Sequence, residues 1–518
     1  MKARRTQTST RGVALLMVLS AIVILALVLV EFGVTARTHL TQAVNLRDDA
    51  RAATMADTAL VLARACLDPR SWGPMAGMQD KVDAQRLCNL LLDIFVSGRV
   101  DLPVGGLSIE LEGIEGVGIG TGEIEDIELV PEESFVGLRG LWCPPKEGRP
   151  LDEQKLDCQS RKSAVLKLRA LLCDPTIAYI FEREQADGHK YTREEIIGNL
   201  VDWVDSDDDR ISVTFSPLVD FQPDLGEGED SYLREKDRRY RSKDAPFDSV
   251  RELRLVRGVD DALFEFLRDK VSVHAAEQIN VTDASAEVIG ALLFAHSPQA
   301  QAVEGLQDGT CGEVVEGALD VRAVFVKYAR IIKDYASARR SNPVSMLSPP
   351  FRGPKDFTKI ARDPLQHLNA ERAKLFGVNP GDVATLDEQL LNYQLHVQRE
   401  YDDEGKLKNE QVIGLPSAVY DAVKSSVNWR ALQKDVRTRA KLYRLRVRGR
   451  VGNMTRSVFA ILKKDKLDPN SDAARDKRKK DPLSGKSAPV NIPGGLPLPK
   501  SLAGDNQVII RTLYYREE

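Results

Sequence analysis

Asp205, Asp207 and Asp209 stand at alternate positions, the spacing with which an EF-hand-type calcium loop opens as its successive side chains turn inward onto a hard cation. Such a loop requires Gly at its sixth position and a bidentate Glu at its twelfth, and this chain has Arg210 and Ser216 there. Three carboxylates are thus offered without the means to close around an ion, and a solvated acidic loop is the competing reading. Elsewhere the chemistry is sparse. His39, His189, His274, His296, His367 and His396 are scattered, with no HExxH, and no Ser lies in a G-x-S-x-G turn. Gly116-Val117-Gly118-Ile119-Gly120 lacks the following Lys-Ser/Thr helix of a phosphate loop. Cys66, Cys88, Cys143, Cys158, Cys173 and Cys311 form no C-x-x-C and no Cys/His pair at zinc spacing. The chain is expected not to be an enzyme.

Lys and Arg number 73 and Asp and Glu 77 in 518 residues, a formal charge of −4, with 42% hydrophobic residues. That composition supports about three folding units with ample core and leaves no basic footprint for bulk nucleic-acid binding. The positioning elements begin at the N-terminus. Lys2, Arg4, Arg5 and Arg11 precede an uncharged run, Val13 to Val30, whose eighteen residues would span about 27 Å as a helix, enough to cross a bilayer core. A secretory signal has an apolar core of roughly 7–15 residues and a small-residue cleavage site. This run is longer and ends in Glu31-Phe32-Gly33, so a retained, single-pass inner-membrane anchor is expected. The flanking charge places the N-terminus in the cytoplasm and the bulk in the periplasm. In that oxidising space the cysteines can pair. Fifteen connectivities are open to six cysteines; the local one joins Cys66 to Cys88 and Cys143 to Cys158 and leaves Cys173 for Cys311, with buried free thiols as the alternative.

From Glu31 to Leu67 small or apolar residues recur at Phe32, Ala36, Leu40, Ala43, Leu46, Ala50, Ala53, Ala56 and Leu60, steps of three and four that predict one face of a helix continuing the anchor. Asp68-Pro69 ends it. Leu107–Leu111 and Ile124–Leu129 alternate as strands, as do Tyr443–Val451, Arg456–Leu462 and Val508–Tyr515 after helical patterning from Ser163 to Tyr335. Early and late strands are expected to share one antiparallel sheet. Lys463 to Lys500 is rich in Lys, Asp, Pro and Gly, which predicts a disordered or solvated loop, residues 463–500.

The junction Arg11-Gly12-Val13-Ala14-Leu15-Leu16-Met17 resembles the processing site of type IV pilin-like proteins. Cleavage after Gly12 would place Met17, not the usual glutamate, fifth in the mature chain, and that departure resembles the K-class minor pseudopilins of type II secretion, the general secretion pathway protein K family. Asn199–Asp207 resembles that family's D-W-x-D-x-D pattern, Pro246–Val259 its P-F-x-S-x-E-E-L-R-L-V-x-G pattern, and Ile279–Val288 its I-N-V-N-T-A-x-x-E-V pattern, with Thr282-Asp283 in place of Asn-Thr. These segments and the anchor cover about a third of the chain. The family's D-E-x-G-K-I-N-L-N segment has no clear counterpart, and this chain is longer than typical members.

The resemblance implies cleavage by prepilin peptidase after Gly12, N-methylation of Val13, and a place at the pseudopilus tip, where Met17 has no subunit above it to pair with. It implies partnership with the I- and J-class minor pseudopilins and a role in protein transport across the outer membrane. Gly228-Glu229-Asp230 resembles the family's G-A-E-D motif, which makes Asp205, Asp207, Glu229 and Asp230 the candidate ligands for Ca2+. A minor pilin of a type IV pilus is a near alternative. Glu252–Leu267 also reads as helix, Gly hairpin, helix, the module of a membrane-anchored DNA-binding receptor, but Asp260-Asp261 after the hairpin would repel phosphate, and no nucleic-acid partner is expected.

The expected fold is α+β, pilin-like, with a long N-terminal transmembrane and amphipathic helix packed on a small antiparallel sheet that is interrupted by a large all-helical domain. The expected divisions are a leader, residues 1–12; the helix, 13–67, with its anchor 13–30; a first α+β part, 68–160; the inserted helical domain, 161–341; an extra helical insertion, 342–436; and the closing strands, 437–518.

Overall fold

The computed structural model describes residues 10–68, 82–97, 99–101, 108–110, 122–143, 158–206, 209–214, 220–228, 240–275, 277–297, 321–342, 345–376, 393, 396–401, 407–413, 415, 417–466 and 508–517. Helix α1 (Thr10–Leu67) runs uninterrupted for 58 residues and stops two residues before Pro69, because proline disfavours helix at Asp68. At about 1.5 Å per residue it is about 87 Å long. From Leu15 it is long and apolar enough to cross a membrane, and none of its apolar window is buried. Its buried stripe is Ala52, Met55, Ala56, Ala59, Leu60, Ala63, Cys66 and Leu67, stepping by three and four. The face expected from Phe32 onward is therefore corrected. Phe32, Leu40 and Leu46 are 67–70% exposed, because the helix far outruns the body it packs on.

After α1 come α2 (Ala84–Ser97), the short pair β1 (Arg99–Asp101) and β2 (Ser108–Glu110), and β3 (Gly122–Pro131). Among the described residues, the strand expected at Leu107–Leu111 is β2, which pairs with β1 in a separate two-stranded sheet. The insertion then runs through β4 (Val136–Gly137), α3 (Gln159–Leu172), α4 (Ala178–Glu182), α5 (Arg193–Asp202), the hairpin β5 (Asp209–Thr214) and β6 (Asp220–Gly228), α6 (Asp261–Leu267), β7 (Val271–Ser272), β8 (Ile279–Asn280) and α7 (Ala286–Ala295). It continues with α8 (Val321–Ser341), α9 (Pro354–Arg362), α10 (Pro364–Phe376), the hairpin β9 (His396–Tyr401) and β10 (Leu407–Ile413), α11 (Ser417–Ser426), α12 (Trp429–Asp435) and β11 (Val436–Arg437). The hairpins correct the expectation that this region is wholly helical.

Local chemistry sets many of these boundaries. Thr192 and Glu195 form a reciprocal capping box at the start of α5, and Asp260 and Ser285 cap α6 and α7 by accepting from the third amide of each. Gly258 has φ +81°, and a Cβ there would meet the Tyr191 ring at 2.9 Å, so only glycine fits that turn.

The described residues of 342–436 form no separate core. Phe351, Phe357, Leu368, Tyr420 and Leu432 lie in one cluster with Leu200, Leu263, Leu292, Phe325 and Ile332. Asp435 of α12 shows how the two stretches are fastened: it accepts a hydrogen bond from Ser163 at 3.0 Å, and lies 3.1 Å from Lys167 Nζ and 3.2 Å from His296 Nε2. Burial alone would raise its carboxyl, but the His296 hydrogen bond and the Lys167 charge outweigh it and hold the group well below the usual carboxylate range.

The chain returns to the sheet with β12 (Leu442–Val451), β13 (Met454–Lys466) and β14 (Val508–Glu517), in the order β14-β13-β12-β3, antiparallel throughout. Early and late strands thus share one sheet, Leu445 opposite Leu129 and Val447 opposite Ile127. Tyr443, Leu445 and Val447 turn inward and pack with Ala56, Ala59, Leu60, Ala63 and Leu67 of α1 and Leu92 of α2. The architecture is α+β, a long N-terminal helix on a small antiparallel sheet interrupted by a large, mainly helical domain.

Candidate functional site

Gly12 and Val13 lie in the first turns of α1, and Met17 is 67% exposed on the bare part of that helix. Of the expected calcium ligands, Asp205 is buried just past α5, with its Oδ2 3.6 Å from Arg161 Nη2. Asp207, Glu229 and Asp230 lie outside the described residues. Asp209 opens β5 and is paired across the hairpin with Gly228 of β6, so the two acidic segments join the hairpin at the same end. Asp202 fixes that end by accepting the Ile211 amide at 2.9 Å, and Gly198 lets β5 approach α5, since a Cβ there would stand 2.8 Å from the Ile211 carbonyl oxygen.

Cys66, in the last turn of α1, is joined to Cys88 of α2, and Cys143 to Cys158. Cys173 is also disulfide-bonded; its expected partner, Cys311, lies outside the described residues. The first bridge closes a 22-residue separation, for which loop entropy gives about 3 kcal/mol. Cys66→Ser/Cys88→Ser is expected to lower stability by about that amount and to free α2 for proteolysis; equal melting temperatures and digestion patterns for the two proteins would exclude a stabilising role.

The expected helix-hairpin-helix is corrected in its first arm. Val250–Leu255 is a single 3-10 helix behind the Ser249/Glu252 capping box, and on the second arm Asp260 caps α6 through the Leu263 amide while pairing with Arg183. The amides that such a module presents to phosphate are thus met by a carboxylate.

Two features escaped the reading of the sequence. Glu132 and Glu133, each 1% exposed, follow β3 and join the sheet to the insertion. Glu132 accepts two hydrogen bonds from Arg444 of β12, at 2.7 and 2.9 Å, and a third from the Ser272 hydroxyl of β7. Glu133 takes Arg437 and the Lys441 amide. The signal was a Glu pair after Pro131, which without the fold reads as a surface turn. Beside this junction, β12 and β13 on one side and the segment 248–274 on the other enclose a groove of about 630 Å3. The outward residues of β12, Arg444, Arg446 and Arg448, line it opposite Arg251, Arg254 and Arg268. Their period of two marked the strand, but nothing local showed what would face them.

No family model matches the chain, and no curated protein matches it. Among solved structures the chain is similar to a chain of the GspK-GspI-GspJ complex from the enterotoxigenic Escherichia coli type 2 secretion system, at 14% identity and a TM-score of 0.39, over 93% of this chain and 99% of that one.

Proposed function

We propose that this chain is a minor pseudopilin of K type, a non-catalytic subunit anchored in the inner membrane by α1, with its bulk in the periplasm, that caps a type II secretion pseudopilus together with I- and J-class subunits and so supports its assembly and protein export across the outer membrane. The observation that carries the reading is the division of α1. Its C-terminal part is buried on the sheet, while Leu15 to Val30 exposes a continuous apolar surface that must be covered by lipid before assembly and by neighbouring helices after it. The motifs at Gly12, Asn199–Asp207, Pro246–Val259 and Ile279–Val288 support the K assignment. Met17 in place of a carboxylate removes the pairing a subunit would need beneath another, which favours the tip.

Co-expression with prepilin peptidase and I- and J-class pseudopilins, followed by purification from membranes, tests this. The expected product is a stable complex in which this chain begins at Val13. A chain that begins at Met1 and purifies alone defeats the reading.

Calcium binding by the acidic segments belongs to the same proposal, and the pairing of Asp209 with Gly228 supports it. Arg161 already compensates part of the charge of Asp205, so Asp207, Glu229 and Asp230 would carry most of the attraction, with backbone carbonyls completing six to eight oxygens. Millimolar Ca2+ is expected to raise the melting temperature, by about 2.7 kcal/mol of stability at a hundredfold excess over Kd, and Glu229→Gln/Asp230→Asn to abolish the rise. A melt indifferent to Ca2+ rejects the site.

A further inference from the structure

We propose that the arginine-lined groove between the outer face of the sheet and the segment 248–274 is a docking site for an extended, acidic segment of a partner protein. Alternation along β12 sends Tyr443, Leu445 and Val447 to α1 and Arg444, Arg446 and Arg448 to the opposite face. The groove therefore lies on the side of the sheet away from α1, and it stays open when α1 is packed among other helices. This surface goes beyond the assembly role and does not depend on it.

The arginines are not all spent on the protein itself. Arg444 is held by Glu132 as described, Arg254 lies 3.6 Å from Glu265 and 3.5 Å from Asp261, and Arg268 lies 2.8 Å from Glu265 and 3.5 Å from Asp269. Arg446 is half exposed and only 3.5 Å from Glu128 at the rim. The Arg448 side chain is exposed and makes no ion pair or hydrogen bond among the described residues. Arg251 lines the facing wall. Arg448, with Arg446 loosely held beside it, places cationic charge in a cleft of this size, which focuses attraction on an anion.

The spacing selects the form of the anion. Alternate side chains of a strand repeat at about 6.6 Å, so Arg446 and Arg448 match carboxylates placed at every second residue of an extended peptide, each taken by a planar, bidentate fork. A nucleic acid fits less well. Asp248, Glu265 and Asp269 line the same groove and would repel a continuous phosphate chain, whereas a peptide can leave neutral residues opposite them.

Fluorescence anisotropy on the full chain in detergent micelles tests the proposal with a labelled Asp-Ser repeat peptide, its Asn-Ser counterpart and a duplex DNA of similar charge. The Asp-Ser peptide is expected to bind, to weaken as salt rises from about 0.05 to 0.3 M, and to lose about tenfold in affinity in Arg446→Ser/Arg448→Ser. Those side chains are exposed, so the variant should melt as the parent does, and Arg47→Ser on α1 should bind as the parent does. Equal binding of the Asn-Ser peptide, unchanged affinity in the double variant, no binding at about millimolar peptide, or tighter binding of the DNA would each overturn it. Co-purification of the double variant with the other pseudopilins separates this outcome from failure of the assembly role.

Discussion

Glu132→Ala is expected to destabilise the protein by about 3–5 kcal/mol, the cost of leaving one half of a buried ion pair without its partner. The carboxylate is 1% exposed and takes both forks of Arg444 and the hydroxyl of Ser272. Its removal strands the guanidinium of Arg444, whose side chain is only 13% exposed, and releases Ser272, which in turn accepts the amides of His274 and Ala275 at 3.0 and 2.9 Å. One substitution therefore loosens the seam between sheet and insertion from both sides. Arg444→Met alone should cost a similar amount. Glu132→Leu/Arg444→Met should recover much of the loss, because no charge is then left buried. Urea denaturation followed by tryptophan fluorescence measures all three; if the double variant loses the sum of the single losses, the two residues are uncoupled and the seam is not held by this pair.

Gly449→Val should detach the C-terminal part of α1 from the sheet. A Cβ at residue 449 would stand 2.7 Å from the Ala52 carbonyl oxygen, 3.3 Å from the Ala56 amide nitrogen and 3.3 Å from Met55 Cβ. Two of these are backbone atoms of a helix, which cannot give way as a flexible side chain can. The choice is between lifting the helix and shifting β12, which sits at the centre of the sheet with β3 and β13 on its flanks. Overpacking typically costs about 1–3 kcal/mol, occasionally more; Gly449→Ala should lie in that range and Gly449→Val at or above its upper end. Limited proteolysis should then cut α1 between Ala52 and Leu67, where the parent is protected. Gly33→Ala is the control, since no atom lies within 4 Å of the added carbon, and its melt should not fall. Equal protection of α1 in Gly449→Val and the parent would falsify the close helix-to-strand contact.

The course of α1 and the strands β12 to β14 were legible because each depends on residues within a few positions of one another. Asp68-Pro69 stops a helix wherever it occurs, and Tyr443–Val451 alternates whatever it packs against. The bridges Cys66–Cys88 and Cys143–Cys158 were among the open choices and are local in the same sense. The acidic segments could be named as a candidate site, but only the β5–β6 pairing brings their flanks together. Sequence periodicity placed the apolar face of α1 from Phe32 on; the structure buries it only from Ala52, because a stripe says which side can pack and not how far the partner extends. Ten residues of β12 reach about 33 Å against the roughly 87 Å of α1. The seam at Glu132 and Glu133, the shared core of 161–341 and 342–436, and the arginine groove were decided by tertiary structure alone. Each joins residues tens to hundreds of positions apart, as Glu132 joins Arg444. A local pattern records a residue's preference for burial or exposure, but the identity of its partner is settled only when the chain closes on itself.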